Sequence, residues 1–362
     1  MRAPSPNDKT NFVIPLINWQ QEYGRHNLPW QKTHDPYKIW ISEIMLQQTQ
    51  VKSVIPYYEN FINRFPDIPS LARARENSVL SLWSGLGYYS RARSLHKASR
   101  EIRNKYNGKF PSSFEKIFSL PGIGRTTAAA ISVFAYAQPY PILDGNVKRV
   151  FARFFGIKRI LAEKKITNEL WQRAQRLLPD SQIQSYTQGL MDLGATLCTP
   201  RKPACSSCPL KSHCYAFQNE NPENFPARKN SRPLPVRESY FLLFWTGQRL
   251  FFEKRPGRGI WGGLWSFPEA KHKNIIPELS LGQIGVKIQR LQPLRTFRHS
   301  FTHFHLKIKP LLIHCTNGIK QKAGLGRWVS LQKAEKLGLP TPVKKLVQQI
   351  RLYQFNSSLN HA

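Results

Sequence analysis

Leu120-Pro121-Gly122-Ile123-Gly124-Arg125, continued without a break by TTAAAISVFAYA (126–137), is the stretch on which the reading of this chain turns. Two glycines one residue apart make a tight turn. A helix-like segment precedes the turn and a run of small residues follows it, so residues 113–135, approximately, read as a helix-hairpin-helix. The exposed backbone N–H groups at the start of the second helix could hold a phosphate. By itself the pattern fits any helical turn, and what lies around it has to decide. ILDGNVKRV (142–150) follows the small-residue run. Its Asp144-Gly145 pair can be read as an ordinary turn or N-cap.

From Phe12 to about Tyr215 the chain reads as helices with short punctuated turns, with Asp35-Pro36 as a clear helix start. NENPENFPARKNSRPLPV (219–236) has no apolar period and is rich in proline and polar residues, so 221–236 reads as a linker. Beyond it, SYFLLFW, RLFFEKR, FHLKIKPLLIHC and GRWVSL read as strands, with helical stretches near Ile276 and Pro342. The expected organisation is a mainly helical domain over 1–220, an α+β domain over 237–350 and a tail over 351–362, whose last residues, NSSLNHA, are expected to be disordered.

The 362 residues carry 54 Lys and Arg against 21 Asp and Glu, a net charge of +33. Both halves share the excess, with 30 basic and 15 acidic residues up to Glu220 and 24 and 6 beyond it. A polyanionic partner is implied, with nucleic acid the leading candidate. No stretch approaches the roughly 18–20 apolar residues of a membrane span, and MRAPSPNDKT lacks a signal core, so a cytoplasmic protein is expected.

Four of the five cysteines, Cys198, Cys205, Cys208 and Cys214, fall in the spacing C-x6-C-x2-C-x5-C. Such a set can supply four thiolates to one zinc ion or one [4Fe–4S] cluster, and His213 could offer a nitrogen to zinc. Cys315, inside an apolar run, reads as an ordinary buried thiol. In YKIWISEIMLQQTQV (37–51), Glu43 sits among Ile39, Trp40, Ile41, Ile44, Met45 and Leu46. A carboxyl desolvated there keeps its proton toward neutral pH, as a general acid requires, unless it lies on the helix's one solvated stripe.

LPWQ (28–31), WISEIMLQQTQV (40–51), LWSGLGYYSRAR (82–93), LPGIGRTTAAA (120–130) and ILDGNVKRV (142–150) resemble the signatures of the adenine DNA glycosylases, the MutY type of the endonuclease III and helix-hairpin-helix superfamily. Together with the cysteine spacing, the resemblance covers most of residues 25–215 and favours one [4Fe–4S] cluster over zinc. It implies a glycosylase of base excision repair acting on adenine opposite 8-oxoguanine or guanine in duplex DNA, as a monomer. Glu43 would protonate the adenine and handle the attacking water, and Asp144 would stabilise the sugar cation. Trp30 and Leu46 would line the adenine pocket, Gln48 and Tyr88 would wedge into the duplex, and Gly122, Gly124 and Arg125 would meet the backbone. Arg201, Lys202 and Lys211 would present a basic cluster loop to phosphate.

Thr126 stands where the bifunctional relatives carry a Schiff-base lysine and where MutY-type chains often carry Ser. A hydroxyl cannot form that adduct, so a monofunctional enzyme is expected. His26 is a second departure, since relatives tend to carry Arg or Lys there. YFLLFWTGQRLFFEKRPGRGIWGGLWSFPE (240–269) resembles the opening of a MutT-like (Nudix) domain, but Ala270–Gly285 holds only Glu278 where a working hydrolase has a Glu-rich helix. The domain is expected to bind 8-oxoguanine through Phe301-Thr302-His303 without metal chemistry. The competing readings are a bifunctional pyrimidine glycosylase, a damage binder without catalysis and a Nudix pyrophosphohydrolase.

Overall fold

The structure is a computed structural model that describes residues 7–161, 163–219, 221–227, 233–276, 284–316 and 326–359. The chain divides into two compact units, Met1–Ala72 with Lys97–Ser231, and Arg73–His96 with Arg232–Ala362.

Helices α1 (Asp8–Tyr23), α2 (Pro36–Leu46), α3 (Val51–Arg64) and α4 (Ile68–Arg73) open the chain, followed by α5 (Glu76–Leu82) and α6 (Ser90–Lys105). Next come α7 (Phe114–Phe118), α8 (Arg125–Tyr136), α9 (Gly145–Phe154), α10 (Lys164–Arg176), α11 (Ile183–Thr196) and the short α12 (Tyr215–Asn219). The first unit is wholly helical among its described residues. Its core joins Phe12 and Leu16 of α1, Val147, Phe151 and Phe154 of α9, Leu170 of α10 and Leu190 and Leu193 of α11. Helix α11 is drawn close by its glycines. A Cβ on Gly189 would stand 3.1 Å from Leu16 of α1, and one on Gly194 would stand 2.7 Å from Asn146 of α9.

The expected helix start is present, with Asp35 accepting from the Tyr37 N–H at 2.9 Å and Pro36 in the first turn. The hairpin is α7, capped by Ser113, a turn, and α8. Gly122 supplies the turn's left-handed backbone at φ 82°.

The second unit is built on a mixed sheet. Its strands are β1 (Val236–Trp245), β2 (Arg249–Lys254), β3 (Trp265–Ser266), β4 (Glu269–Ala270), β5 (Ile288–Pro293), β6 (Phe297–Ser300), β7 (His305–Cys315) and β8 (Arg327–Ser330). The main path runs β3-β2-β1-β7-β5, while β4 pairs with β1, β6 with β7 and β8 with β2. Strands β1 and β7 run parallel from Val236 beside His305 to Trp245 beside His314. The unbroken apolar run FLLFW in β1 follows from that central place, where both faces of the strand are covered. Helices α13 (Leu331–Ala334) and α14 (Thr341–Leu359) follow β8.

Three features depart from the sequence-based organisation. The units are not sequential, because residues 73–96 group with the C-terminal fold. Buried Ser84 donates to the Leu339 carbonyl at 2.6 Å, Ser81 to Lys336 at 2.9 Å and the Trp265 indole N–H to Asn77 at 3.0 Å. Gly338 lets that backbone approach Leu80, which a Cβ would meet at 3.1 Å. The expected linker is in part packed structure, since Phe225 is buried and Arg153 donates to the carbonyls of Pro222 and Phe225 at 2.9 and 3.2 Å. Residues 228–232 of that run lie outside the described residues. The expected tail is helical to Leu359, which includes the first four residues of the NSSLNHA run expected to be disordered, because no Gly or Pro interrupts α14 after Pro342; residues 360–362 lie outside the described residues. The helical stretch near Ile276 begins as a 3-10 turn, Lys273–Ile275. Glu278 lies outside the described residues.

A buried ion pair ties the end of α1 to α11. Arg25 meets Asp192 at 2.6 Å through Nη2, at 2.7 Å through Nε and at 2.8 Å through its backbone N–H. Asp192 is fully buried, while Arg25 keeps some access to water. Asp192→Asn is expected to cost about 2–3 kcal/mol in urea unfolding, below the usual cost of orphaning a buried charge because the guanidinium can rehydrate. An unchanged midpoint would refute this.

Candidate active site

A cavity of about 340 Å3 opens in the helical unit. That volume lies at the small end of ligand pockets and is large enough for a single base. Glu43, Trp30 and Leu46 all line it, with His26 at its exposed rim. Trp30 also packs edge-on against Tyr58 at 5.3 Å, so its ring serves both core and cavity wall.

Glu43 projects from α2, whose other residues from Ile39 to Met45 are buried. Burial first, and the neighbouring Asp144 carboxylate second, push its carboxyl up to about 8. Solvent reaches the group only from the cavity side, so at neutral pH it carries a proton into a space open to a ligand. Asp144 is not among the cavity-lining residues. It caps α9, accepting from the Val147 N–H at 2.7 Å. The turn-or-cap alternative is therefore true of Asp144, and its charge still reaches Glu43. Burial raises the Asp144 carboxyl, while the Val147 and Asn146 N–H groups and the cations of Arg149 and Lys148 oppose the rise. Two carboxyls thus share one neighbourhood with different support for their anions, which is the arrangement that divides acid from base.

Gln48 is exposed in left-handed backbone, φ 56°, just past the end of α2. Tyr88, φ 47° and 41% exposed, belongs to the second unit, where the Arg91 guanidinium lies 5.5 Å from its ring. Gly124 begins α8 with open space where a Cβ would stand, and Arg125 lies 4.0 Å over the Trp171 ring. Thr126 is the second residue of α8. In the second unit, Phe301, Thr302 and His303 form the turn between β6 and β7, closed by the Phe301 N–H to the Phe304 carbonyl at 2.9 Å. Thr302 and His303 are exposed, and Thr302 Oγ1 stands 3.3 Å from His303 Nδ1.

The cavity wall also contains Gln184, Ser185 and Gln188 of α11 and Gln31 of the Pro29–Lys32 turn, none of which was singled out in the sequence. Gln188 donates to Asp192 at 2.8 Å and Gln31 to the Arg25 carbonyl at 2.8 Å, so the buried ion pair organises this wall. A signal existed, because Gln184, Gln188 and Asp192 recur every four residues between apolar neighbours and form one polar stripe.

Cys198, Cys205, Cys208 and Cys214 all border a second cavity of about 30 Å3, to which exposed His213 does not contribute. Among the described residues no group of three or more His, Cys, Asp or Glu side chains is arranged to hold a single metal ion. Arg153, itself buried, stands with Nη1 3.3 Å from Cys198 Sγ and donates to the Thr199 carbonyl at 2.7 Å. Burial raises the thiols of Cys205, Cys208 and Cys214, that of Cys208 to about 12. Four sulfurs around one space, with a guanidinium beside one of them, fit an anionic sulfur-ligated cluster whose iron would hold them as thiolates. Arg201, Lys202 and Lys211 are exposed around this loop. Cys315 is buried and donates weakly to the Trp245 carbonyl at 3.4 Å.

Residues 41–176 match the HhH-GPD superfamily base excision DNA repair protein family, and 198–214 the iron-sulfur binding domain of endonuclease III. Residues 239–349 match the NUDIX domain. An adenine DNA glycosylase of Buchnera aphidicola subsp. Schizaphis graminum is 39% identical over 340 residues, which are 93% of this chain and 98% of that protein. The chain belongs to the adenine DNA glycosylase family. The adenine DNA glycosylase of Mus musculus is 31% identical over 410 residues, 96% of this chain and 78% of that protein. A solved thermostable thymine-DNA glycosylase superposes with a TM-score of 0.54 at 29% identity, covering 58% of this chain and 96% of its own. Family membership makes the chain a DNA N-glycosylase of base excision repair that binds DNA and carries an iron–sulfur binding domain and a Nudix domain. Among the described residues no helix is long and apolar enough to cross a membrane.

The Glu43 carboxyl has a measurable consequence for stability. With a folded value of about 8 against 4.5 in the unfolded chain, the folded state holds a proton that the unfolded state releases between those limits. Stability is therefore lost as pH rises from about 4.5 to about 8. Glu43→Gln, neutral throughout, is expected to melt above wild type at pH 8, by a few degrees, with the gain shrinking toward pH 5. A gain independent of pH would contradict the buried-proton account. For the cluster loop, Cys208→Ser is expected to abolish bound iron and visible absorbance and to lower the melting temperature. Full iron content in the variant would remove Cys208 from the ligand set.

Proposed function

We propose that this chain hydrolyses the N-glycosidic bond of adenine mispaired with 8-oxoguanine, and with guanine, in duplex DNA. The observation that carries the reading is a carboxyl raised to about 8 in a cavity of single-base size, with a second carboxylate close enough to raise it. The adenine must leave the helical stack to reach such a cavity. There the Glu43 carboxyl gives its proton to a ring nitrogen of adenine, so that the bond to the sugar C1′ can break with its electrons passing to a neutral base. Asp144, whose anion the α9 N–H groups and the cations of Arg149 and Lys148 support, faces the positive charge that develops on the sugar. Water adds to C1′ and yields its proton to the Glu43 carboxylate, which restores the acid.

Trp30 and Leu46 provide the apolar walls for the base. Gln48 and Tyr88, both at positive φ, are the side chains assigned to the duplex wedge, and Gly122, Gly124 and Arg125 are assigned to the backbone phosphates. Thr126 has no amine, so no Schiff base forms with the abasic sugar and the enzyme is monofunctional. Phe301, Thr302 and His303 read the 8-oxoguanine. The four cysteines hold one [4Fe–4S] cluster that orders the loop carrying Arg201, Lys202 and Lys211. The protein acts as a monomer in the cytoplasm.

Single-turnover kinetics on duplexes with adenine opposite 8-oxoguanine, guanine or thymine test this directly. Strand breaks at adenine opposite 8-oxoguanine are expected to appear only after alkali. Their rate should fall as pH rises through about 8, where Glu43 loses its proton, and Glu43→Gln should remove the activity. Nicking before alkali with a borohydride-trappable adduct would overturn the monofunctional reading, and wild-type protein inert on every adenine mispair would overturn the whole of it.

A further inference from the structure

Trp261 occupies a backbone conformation that a bulky side chain rarely adopts, φ 55°, and is 8% exposed. The turn around it is pinned from several sides. Arg255 N–H donates to the Leu264 carbonyl at 2.8 Å, Gly263 N–H to Pro256 at 3.0 Å, and the Leu264 N–H to Trp261 itself at 3.1 Å. The Arg255 side chain donates to the Ile260 carbonyl at 3.0 Å, lies 5.6 Å from the Trp261 ring and forms an ion pair with Glu269. Arg93 adds a hydrogen bond to the Gly262 carbonyl. Strain persists only where the surroundings over-determine it, and what this strain achieves is the placement of one indole.

That indole underlies the β6–β7 turn. Its ring lies 5.3 Å from Phe301 and 5.7 Å from His299, with Phe241 edge-on at 6.2 Å. Phe301 in turn stacks on Phe304 at 4.5 Å and meets His299 at 4.7 Å. Thr302 and His303, at the tip, are exposed, and the His303 ring rests on the same pile, 5.0 Å from Phe304 and 6.3 Å from Phe301. Burial and the nearby Lys345 cation hold His299 below its ordinary value, which favours the neutral ring within the pile.

We propose that Trp261 is a positioning residue for the Phe301-Thr302-His303 turn, and that through it the Gly257–Gly263 loop sets the preference for adenine opposite 8-oxoguanine over adenine opposite guanine. The inference rests on the reading of that turn as the 8-oxoguanine contact. 8-Oxoguanine differs from guanine by one oxygen and one N–H, so the preference depends on a small number of directed contacts. Directed contacts weaken steeply when their donor or acceptor is displaced. A tip resting on an aromatic pile loses its placement when the base of the pile is removed, while the adenine cavity in the other unit keeps all of its lining residues.

The test is the ratio of single-turnover rates for adenine opposite 8-oxoguanine and opposite guanine, measured with circular-dichroism melting for each variant. Trp261→Leu is expected to lower the ratio about tenfold, the scale of losing aromatic contacts, with the rate opposite guanine unchanged. Trp261→Phe, which keeps a ring, should retain most of it. The double variant with Phe301→Leu should lose no more than the larger single effect, because both changes break the same contact. Should Trp261→Leu melt below the assay temperature, Trp261→Met reads the same ratio with an unbranched side chain that adapts better to the space left by the indole. A folded Trp261→Leu or Trp261→Met with the wild-type ratio overturns the inference alone. A wild type without preference for 8-oxoguanine overturns the lesion reading, and the inference with it.

Discussion

The Asp144 carboxylate accepts the Val147 N–H at 2.7 Å, and this one cap fixes helix α9, on which both chemical centres of the helical unit depend. The cap sets the N-terminal end of α9 with an anion in place. One turn on, Arg149 donates to the carbonyls of Gly194 and Cys198 at 2.6 and 2.8 Å. A further turn on, Arg153 reaches Cys198 Sγ, Thr199 and the Pro222–Phe225 segment. The buried face between them, Val147, Val150, Phe151 and Phe154, holds the helix against α1, α10 and α11. A single amphipathic helix therefore carries a carboxyl at its start and grips the cysteine loop along its length. A shift of α9 would be felt at both places.

The two carboxyls are set apart by their surroundings rather than by their identity. Glu43 has apolar neighbours on its helix, and both influences on it favour the proton. Asp144 is also buried, but helix N–H groups and two cations favour its charge. Of the two, Glu43 is the one whose surroundings most favour the proton. The polar wall from α11 adds hydrogen-bonding groups without adding a free charge to the cavity, since Asp192 is already consumed by Arg25. The cavity stays a place where a buried acid can remain an acid.

Much of this was legible in the sequence because it rests on local rules. The Gly-x-Gly turn, the Asp-Pro helix start, the cysteine spacing and an acid among apolar residues each have a short-range physical reason, and each lies where that reason puts it. What was not legible depends on long-range partners. The assignment of residues 73–96 to the C-terminal fold is made by Ser84 with Leu339 and Asn77 with Trp265, pairs separated by 255 and 188 residues. The packing of Phe225 depends on Arg153, which no local pattern connects to it. The ion pair of Arg25 and Asp192 is likewise invisible until α1 and α11 are brought together, although the stripe of Gln184, Gln188 and Asp192 hinted at a polar surface.

The second unit shows how a carboxylate in a Nudix-type sheet can be tied to a loop. Glu253 and Glu269 remain on β2 and β4, and burial raises both, which makes them poor anionic ligands unless a cation sits beside them. That cation is Arg255. Its guanidinium pairs with Glu269, donates to the Ile260 carbonyl and lies near the Trp261 ring, so the carboxylate's charge is spent on holding a loop. The same side chain supports the indole on which the aromatic pile beneath Phe301 rests. In this sheet the Glu269 carboxylate is committed to the turn.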